Sequence, residues 1–433
     1  MRGFLASSIG VTCAAALALP LTLPSSGARA AAPGAPSAAG PATEGIPGRT
    51  ESIPLTPLGS DRALGSAGAR EQGLGRRDVR PFSLVGVVWN DPEAELHGTV
   101  QVRTRATGTT TWSEWQPVET HNHEHTADPG TPEHDADTVR GSTAPLWVGD
   151  SDGVEIRVRA EAPPATSRAL ATGAATATPL PEGLRLELVD PGDDPPPHNP
   201  RHEAPPGSSE RQTEDDLIAT RGGDAGQAQA RPYVGPRPRI ITRKGWGADE
   251  RLRERKFAYT KTVKAAFIHH SATGNNYRCS QSAAAIRSIY RFHVKSSGWR
   301  DIGYNFVVDK CGNIYEGRAG GVAKPVLAAH TLGFNSNSMG IAVLGSYSYS
   351  TPPKAVVTAI ARLTAWKLGL YGANPRGTTY LKSGGGNLYK KGRNVRLRVI
   401  SGHRDGFATE CPGGRLYKKL GKARTTSARY QGR

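Results

Sequence analysis

Ser401-Gly402-His403-Arg404-Asp405-Gly406-Phe407-Ala408-Thr409-Glu410-Cys411-Pro412-Gly413 places an imidazole and a thiol eight residues apart on one glycine-bearing loop. The loop follows Arg396–Ile400, which has the apolar/polar pattern of a strand, so His403 falls just beyond a strand end. A second histidine, His269, closes another apolar run, Ala265-Ala266-Phe267-Ile268. Two imidazoles and one thiolate are three ligands of the kind zinc takes. Three leave the fourth tetrahedral position open for water, which is the arrangement of a catalytic rather than a structural ion.

Working outward, strand and helix signals alternate. Val263–Ile268 reads as a buried strand. Gln281–Ser296 reads as a helix with Ile286, Ile289, Tyr290 and His293 on one face. Gly303–Val308 and Asn313–Glu316 flank a turn at Asp309-Lys310-Cys311-Gly312 and predict a hairpin. Met339–Leu344 is a central strand, and Lys354–Leu368 is a helix stopped by Gly369. The expected class is α/β, a mixed central sheet flanked by helices over 236–420, with a basic frayed tail over 421–433.

Upstream the texture differs. Ser83–Trp89 is strand-like, and Val100–Arg105, Val154–Arg159 and Leu184–Val189 alternate apolar with polar residues. A small β-sandwich over 81–190 is expected, with Trp89, Trp112, Trp115 and Trp147 as core rather than as a sugar-binding face. His121-Asn122-His123-Glu124-His125 lies in a polar loop with no local element to fix it, and reads as solvated rather than as a metal tract. Residues 31–80 (Ala, Gly, Pro, Ser) and 191–235 (Pro-rich, charged) read as disordered linkers.

Residues 1–30 have the form of a secretory signal: a short basic start, an apolar stretch, and Ala28-Arg29-Ala30 as a small-x-small cleavage site. No later segment is long and apolar enough to span a bilayer. Cys13 lies in the signal, which leaves Cys279, Cys311 and Cys411. If Cys411 binds metal, Cys279 and Cys311 remain as a pair suited to an oxidising compartment. Residues 236–433 carry 36 Lys+Arg against 8 Asp+Glu, whereas residues 1–235 carry 19 against 30. So cationic a domain seeks a polyanion. Export argues against nucleic acid and favours anionic wall polymers. The other outlet for the charge is docking on the acidic N-terminal part.

Phe267-Ile268-His269-His270-Ser271-Ala272-Thr273, Trp299-Arg300-Asp301-Ile302-Gly303-Tyr304-Asn305-Phe306, Ile314-Tyr315-Glu316-Gly317-Arg318, Ala329-His330-Thr331 and the 402–413 loop together resemble the peptidoglycan recognition proteins and the zinc N-acetylmuramoyl-L-alanine amidases. The resemblance runs in order over roughly 240–420. It implies zinc on His269, His403 and Cys411, with Tyr304 at the developing oxyanion. Thr409 would hold the scissile carbonyl, at a position where some relatives carry lysine. It also implies that Arg318 and His330 meet substrate, with a hydrogen bond behind the ligands as the other reading of His330. His270 should be structural and His293 a packing residue. The implied activity is cleavage of the MurNAc–L-alanine amide of peptidoglycan by a secreted, wall-associated monomer. The alternative is a recognition protein that binds peptidoglycan without cutting it.

Overall fold

The apolar run Ser83–Trp89 explains how the chain is assembled. Its residues are buried on both faces of a strand, so both faces have something to cover. In the computed structural model Val85, Val87 and Trp89 enter the core of an N-terminal sheet. Leu84 and Val88 point the other way, into a cluster with Ile286, Ile289, Tyr290 and Phe292 of the following domain. Gly86 makes the close approach feasible: a Cβ there would stand 2.5 Å from the Phe292 ring. The structure describes residues 47–59, 70–161, 178–194, 208–221 and 233–433. All of them lie within one unit, Gly45–Arg433.

The N-terminal sheet contains β1 (Pro47–Pro54), β2 (Thr56–Pro57), β3 (Glu71–Trp89), β4 (Gly98–Ala106), β5 (Gln116–Val118), β6 (Gly141–Ser142), β7 (Leu146–Ala160) and β8 (Arg185–Gly192). The main path is β1-β8-β3-β7-β4-β5, antiparallel throughout, with β2 and β6 paired to β3. The eight strands form one hydrogen-bonded sheet rather than two separate ones. The sheet also begins earlier than the sequence suggested: β1 and the first half of β3 fall inside the stretch read as a spacer over 31–80. Trp89 and Trp147 are core as expected, but Trp112 and Trp115 are only half-buried. Arg76 lies over Trp112, and Arg103 and Arg157 lie over Trp115.

The second sheet has the order β11 (Ile314–Glu316), β10 (Phe306–Val308), β12 (Ser338–Val343), β9 (Ala265–His270), β15 (Ile400–Gly402). Its pairs are parallel except the β10–β11 hairpin. A two-stranded ribbon, β13 (Thr378–Lys382) with β14 (Asn394–Arg398), stands apart. The helices are α1 (Ser208–Arg221), α2 (Arg243–Trp246), α3 (Ser282–Arg291), α4 (Lys354–Leu370), α5 (Gly414–Tyr417) and α6 (Leu420–Tyr430). α3 continues as a π turn over Phe292–Ser296. α4 packs its Ile360, Leu363 and Trp366 on Ile268, Ile341 and Val343 of the sheet. This is the expected mixed α/β layer.

Two expectations give way here. α1 lies within the region read as a disordered linker, and its Asp216 pairs with Arg237 at 3.0 Å. The tail beyond 420 is α6, which buries Leu420, Ala423 and Ala428, so it is not frayed. Both helices carry enough charge to read as solvated segments, and their few apolar residues find partners only in the assembled fold. Cys279 and Cys311 form the expected disulfide. The signal-sequence reading of residues 1–30 lies outside the described residues.

Candidate metal centre

β9 and β15 are parallel neighbours with Gly402 opposite Ile268, so their ends lie side by side. That register delivers His269 and His403 to one point, with ring centroids 4.6 Å apart. It is the usual place for a site in a parallel sheet, at the carboxyl ends of the strands. Beyond β15 the loop is held by its own backbone. Gly402 N–H donates to Asp405 Oδ2 at 2.9 Å, and Arg404 N–H donates to the Cys411 carbonyl at 3.0 Å. These bonds turn the Cys411 thiol back toward the histidines, with Sγ 3.8 Å from His269 Nδ1.

A fourth side chain joins them, and it comes from the N-terminal region. His125 Nε2 lies 3.2 Å from His403 Nδ1 and 3.5 Å from Cys411 Sγ. The ligand atoms of His125, His269, His403 and Cys411 all lie within 4.8 Å of one another, and all four residues are buried. Ligand atoms on one tetrahedral zinc, about 2.0–2.1 Å away for nitrogen and 2.3 Å for sulfur, would be separated by about 3.3–3.6 Å. The observed spacings of 3.2, 3.5 and 3.8 Å match that set. A proton can bridge only one such contact at a time, whereas a cation satisfies every lone pair at once.

Protonation points the same way. Burial first, and then the neighbouring imidazoles, hold His269 and His403 well below the ordinary histidine value. Burial also lowers His125. Neutral imidazole is the form that ligates metal. Burial pushes the Cys411 thiol well up, so a bound cation is what would favour its thiolate. The residues present therefore fit a zinc-type ion.

Behind His269 runs a relay that orients its ring. His269 Nε2 meets His330 Nδ1 at 3.3 Å, and His330 Nε2 meets Ser338 Oγ at 3.3 Å; Ser338 Oγ in turn donates to the Phe334 carbonyl at 2.5 Å. If each N–H donates along that direction, His269 keeps its Nδ1 lone pair for the metal. Gly340 leaves room for the relay: a Cβ there would stand 2.4 Å from His330 Cγ. His330 is wholly buried here and hydrogen-bonds behind His269, the geometry of the second of its two readings. Tyr304 packs against His269 with ring centroids 5.6 Å apart, and burial raises its hydroxyl well above the ordinary value. His270 accepts a hydrogen bond from Tyr347 N–H, and His293 accepts one from Gly303 N–H while lying on Trp299. Both are structural, as expected.

The remaining expectations are changed by residues 121–135. Thr409 donates to Glu124 Oε1 at 2.7 Å, so its hydroxyl is engaged by the N-terminal region. Arg318 is no open substrate contact: its two terminal nitrogens hold both oxygens of Glu133, at 2.6 and 2.7 Å. Burial opposes charge on Glu133, but the guanidinium overrides it and holds the carboxyl below its ordinary range. The His121–His125 tract is therefore not a solvated loop, since Asn122, Glu124 and His125 are buried. Sequence reasoning missed His125, Glu124 and Glu133. The available signal was three histidines and a glutamate in five residues. What orders them is the surface of another domain, which no local pattern reports.

Residues 259–414 match a family described as N-acetylmuramoyl-L-alanine amidase, and residues 36–180 match one described as Rv3811 N-terminal galactose-binding domain-like. Peptidoglycan-recognition protein SC2 of Drosophila simulans is 33% identical over 184 residues, covering 42% of this chain and 84% of that protein. Peptidoglycan-recognition protein LB of Drosophila melanogaster is 30% identical over 183 residues, covering 42% and 67%. Among solved structures, wild-type Drosophila PGRP-LB aligns at 28% identity and a TM-score of 0.34, over 42% of this chain and 92% of that one. The chain belongs to the peptidoglycan recognition protein and type 2 amidase family.

Proposed function

We propose that this chain is a secreted zinc N-acetylmuramoyl-L-alanine amidase, which hydrolyses the amide joining the lactyl group of MurNAc to the L-alanine of the peptidoglycan stem. The reading is carried by one observation: the buried His269, His403 and Cys411 bring their ligand atoms within 4.8 Å of one another beside Tyr304. A zinc ion on these atoms supplies a Lewis acid for the scissile carbonyl and a nucleophile at neutral pH. Tyr304, kept protonated by burial, serves as a hydrogen-bond donor to the developing oxyanion rather than as a base. Thr409 holds the substrate carbonyl in this reading, once its hydroxyl leaves Glu124.

Location and partners follow the same reading. The Cys279–Cys311 disulfide suits an exported protein, and among the described residues no helix is long and apolar enough to cross a membrane. The β13–β14 ribbon buries Leu381, Val395 and Leu397 and exposes Tyr380, Lys382, Arg396 and Arg398. Lys390, Lys391 and Arg393 are exposed in its connecting loop. This face suits anionic wall polymers, with salt-sensitive attraction.

One observation favours the other reading, a protein that binds peptidoglycan without cutting it: His125 stands where a catalytic ion needs an open position. Release of free amino groups from a defined MurNAc-peptide separates the two. Hydrolysis, by the chain or by its His125→Ala variant, should stop with chelator and return with zinc. If the protein binds the wall fragment but releases no amine, even after His125→Ala, the amidase reading is wrong.

A further inference from the structure

The segment around His125 contacts every group that the proposed reaction needs. Glu124 takes the Thr409 hydroxyl, and its backbone carbonyl accepts from Leu332 N–H at 2.9 Å. His125 takes the fourth corner of the ligand set. Asp128 accepts from Gly333 N–H at 2.8 Å and from Asn335 Nδ2 at 2.7 Å. Glu133 neutralises Arg318. Beyond the isolated Arg105–Trp112 bridge and the short β5, the stretch from 119 to 140 has no helix or strand of its own. Some of its polar bonds return to the N-terminal region, His123 to Glu95, His134 to Glu93 and Asn122 to Ser142, but those of Glu124, Asp128 and Glu133 reach outward to the C-terminal domain. A solvated loop between two strands needs none of this, and buried carboxylates in particular are costly unless paired.

We propose that residues 121–135 are a built-in inhibitory strap, in which His125 is a displaceable fourth metal ligand and Glu124 and Glu133 stand in for polar groups of the substrate. The inference rests on the amidase reading for its consequence, but its geometry is independent of turnover. With the strap seated the ion has four protein ligands, the closed arrangement of a structural site. With the strap lifted it has three and an open corner. The ion stays in both states, because His269, His403 and Cys411 belong to the catalytic domain. Activation is then removal or displacement of the strap, and the full chain as folded here is latent.

The test uses cobalt(II) in place of zinc in the full chain, with azide as the probe of an open coordination position. Visible absorption reports the ligand set directly. Wild-type protein should show a tetrahedral spectrum that azide leaves unchanged. In His125→Ala the spectrum should shift on azide addition. A strap seated ten to one or better weakens apparent azide affinity by at least about tenfold relative to the opened site. Glu133→Gln keeps all four ligands and loosens a distant anchor, so it covers the case in which His125→Ala folds poorly. It should give an intermediate azide response.

An azide response in the wild type equal to that of His125→Ala overturns the strap. An azide response confined to the variants, without release of amino groups from MurNAc-peptide by either variant, keeps the strap and removes the amidase reading. An azide response together with faster amide hydrolysis in His125→Ala than in wild type supports both.

Discussion

Two loops bring an imidazole to the same point, and they are held in opposite ways. The loop from His403 to Cys411 is fixed by bonds within itself, Gly402 to Asp405 and Arg404 to Cys411. It is also tied to the sheet through β15. The loop that carries His125 has turns of its own, such as His125 N–H to the Asn122 carbonyl, but its buried Glu124, Asp128 and Glu133 are held by the surface it lies on, through Thr409, Leu332, Gly333, Asn335 and Arg318. A ligand held by its own loop stays when that surface moves, whereas one held across a surface leaves with its anchors. The distinction lies in the hydrogen-bond partners and not in the ligand atoms, which are imidazole in both cases.

The largest expected effect tests that distinction directly. Cys411→Ser should release the metal on dialysis, because each time the strap lifts only His269 and His403 of the C-terminal domain remain and a hydroxyl replaces the thiolate. His125→Ala should keep one metal per chain, since His269, His403 and Cys411 are untouched. Metal content after dialysis reads both. If His125→Ala empties as completely as Cys411→Ser, the two loops are equivalent and the contrast fails. Next in size is Tyr304→Phe in the strap-opened background. Losing one oxyanion donor should lower kcat by about 10²–10³-fold. Metal content should not change, because Tyr304 is not among the ligands. A fall in metal together with turnover would place Tyr304 in support of the ligands instead.

The contrast also explains what could be read from the sequence. β9, β15 and the 401–413 loop are local: apolar strand runs ending in histidine, then a glycine-bearing loop with the thiol at a fixed spacing. Their three candidate ligands were legible, and so was β9, whereas the single strand expected over Arg396–Ile400 is divided between β14 of the ribbon and β15 of the sheet. The hairpin and α4 were legible for the same reason, since their apolar pattern fixes one buried face. His125, Glu124 and Glu133 were not, because polar residues in an irregular segment look the same whether they face water or a partner surface. Leu84 and Val88 held the missing clue. A strand with both faces apolar needs a second layer, and that layer is α3 of the C-terminal domain. Had the double-sided strand been taken as docking rather than as sandwich core, the acidic N-terminal loop would have been a candidate to lie over the basic site.

The smallest expected effect concerns Asn335, the side chain on which the two regions meet. Its Oδ1 accepts from the His330 and Thr331 N–H groups at 2.7 and 2.9 Å. Its Nδ2 donates to the Thr126 carbonyl and to Asp128 Oδ1, at 2.8 and 2.7 Å. One amide thus serves the relay behind His269 with its acceptor and the strap with its donors. Asp128→Ala removes two strap bonds, from Gly333 N–H and Asn335 Nδ2, offset in part by relief of a buried carboxylate, and leaves the Asn335 acceptor in place. A hydrogen bond to a charged group contributes about 1.5–3 kcal/mol, so local opening of the strap should become roughly ten- to a hundredfold more frequent. Amide hydrogen exchange over 121–135 should quicken by that factor, while the amides of His330 and Thr331 keep their protection. If the His330 and Thr331 amides quicken equally, the strap and the loop carrying His330 open as one unit. His125 would then be as permanent a ligand as His403, and its placement at the fourth corner would be structural.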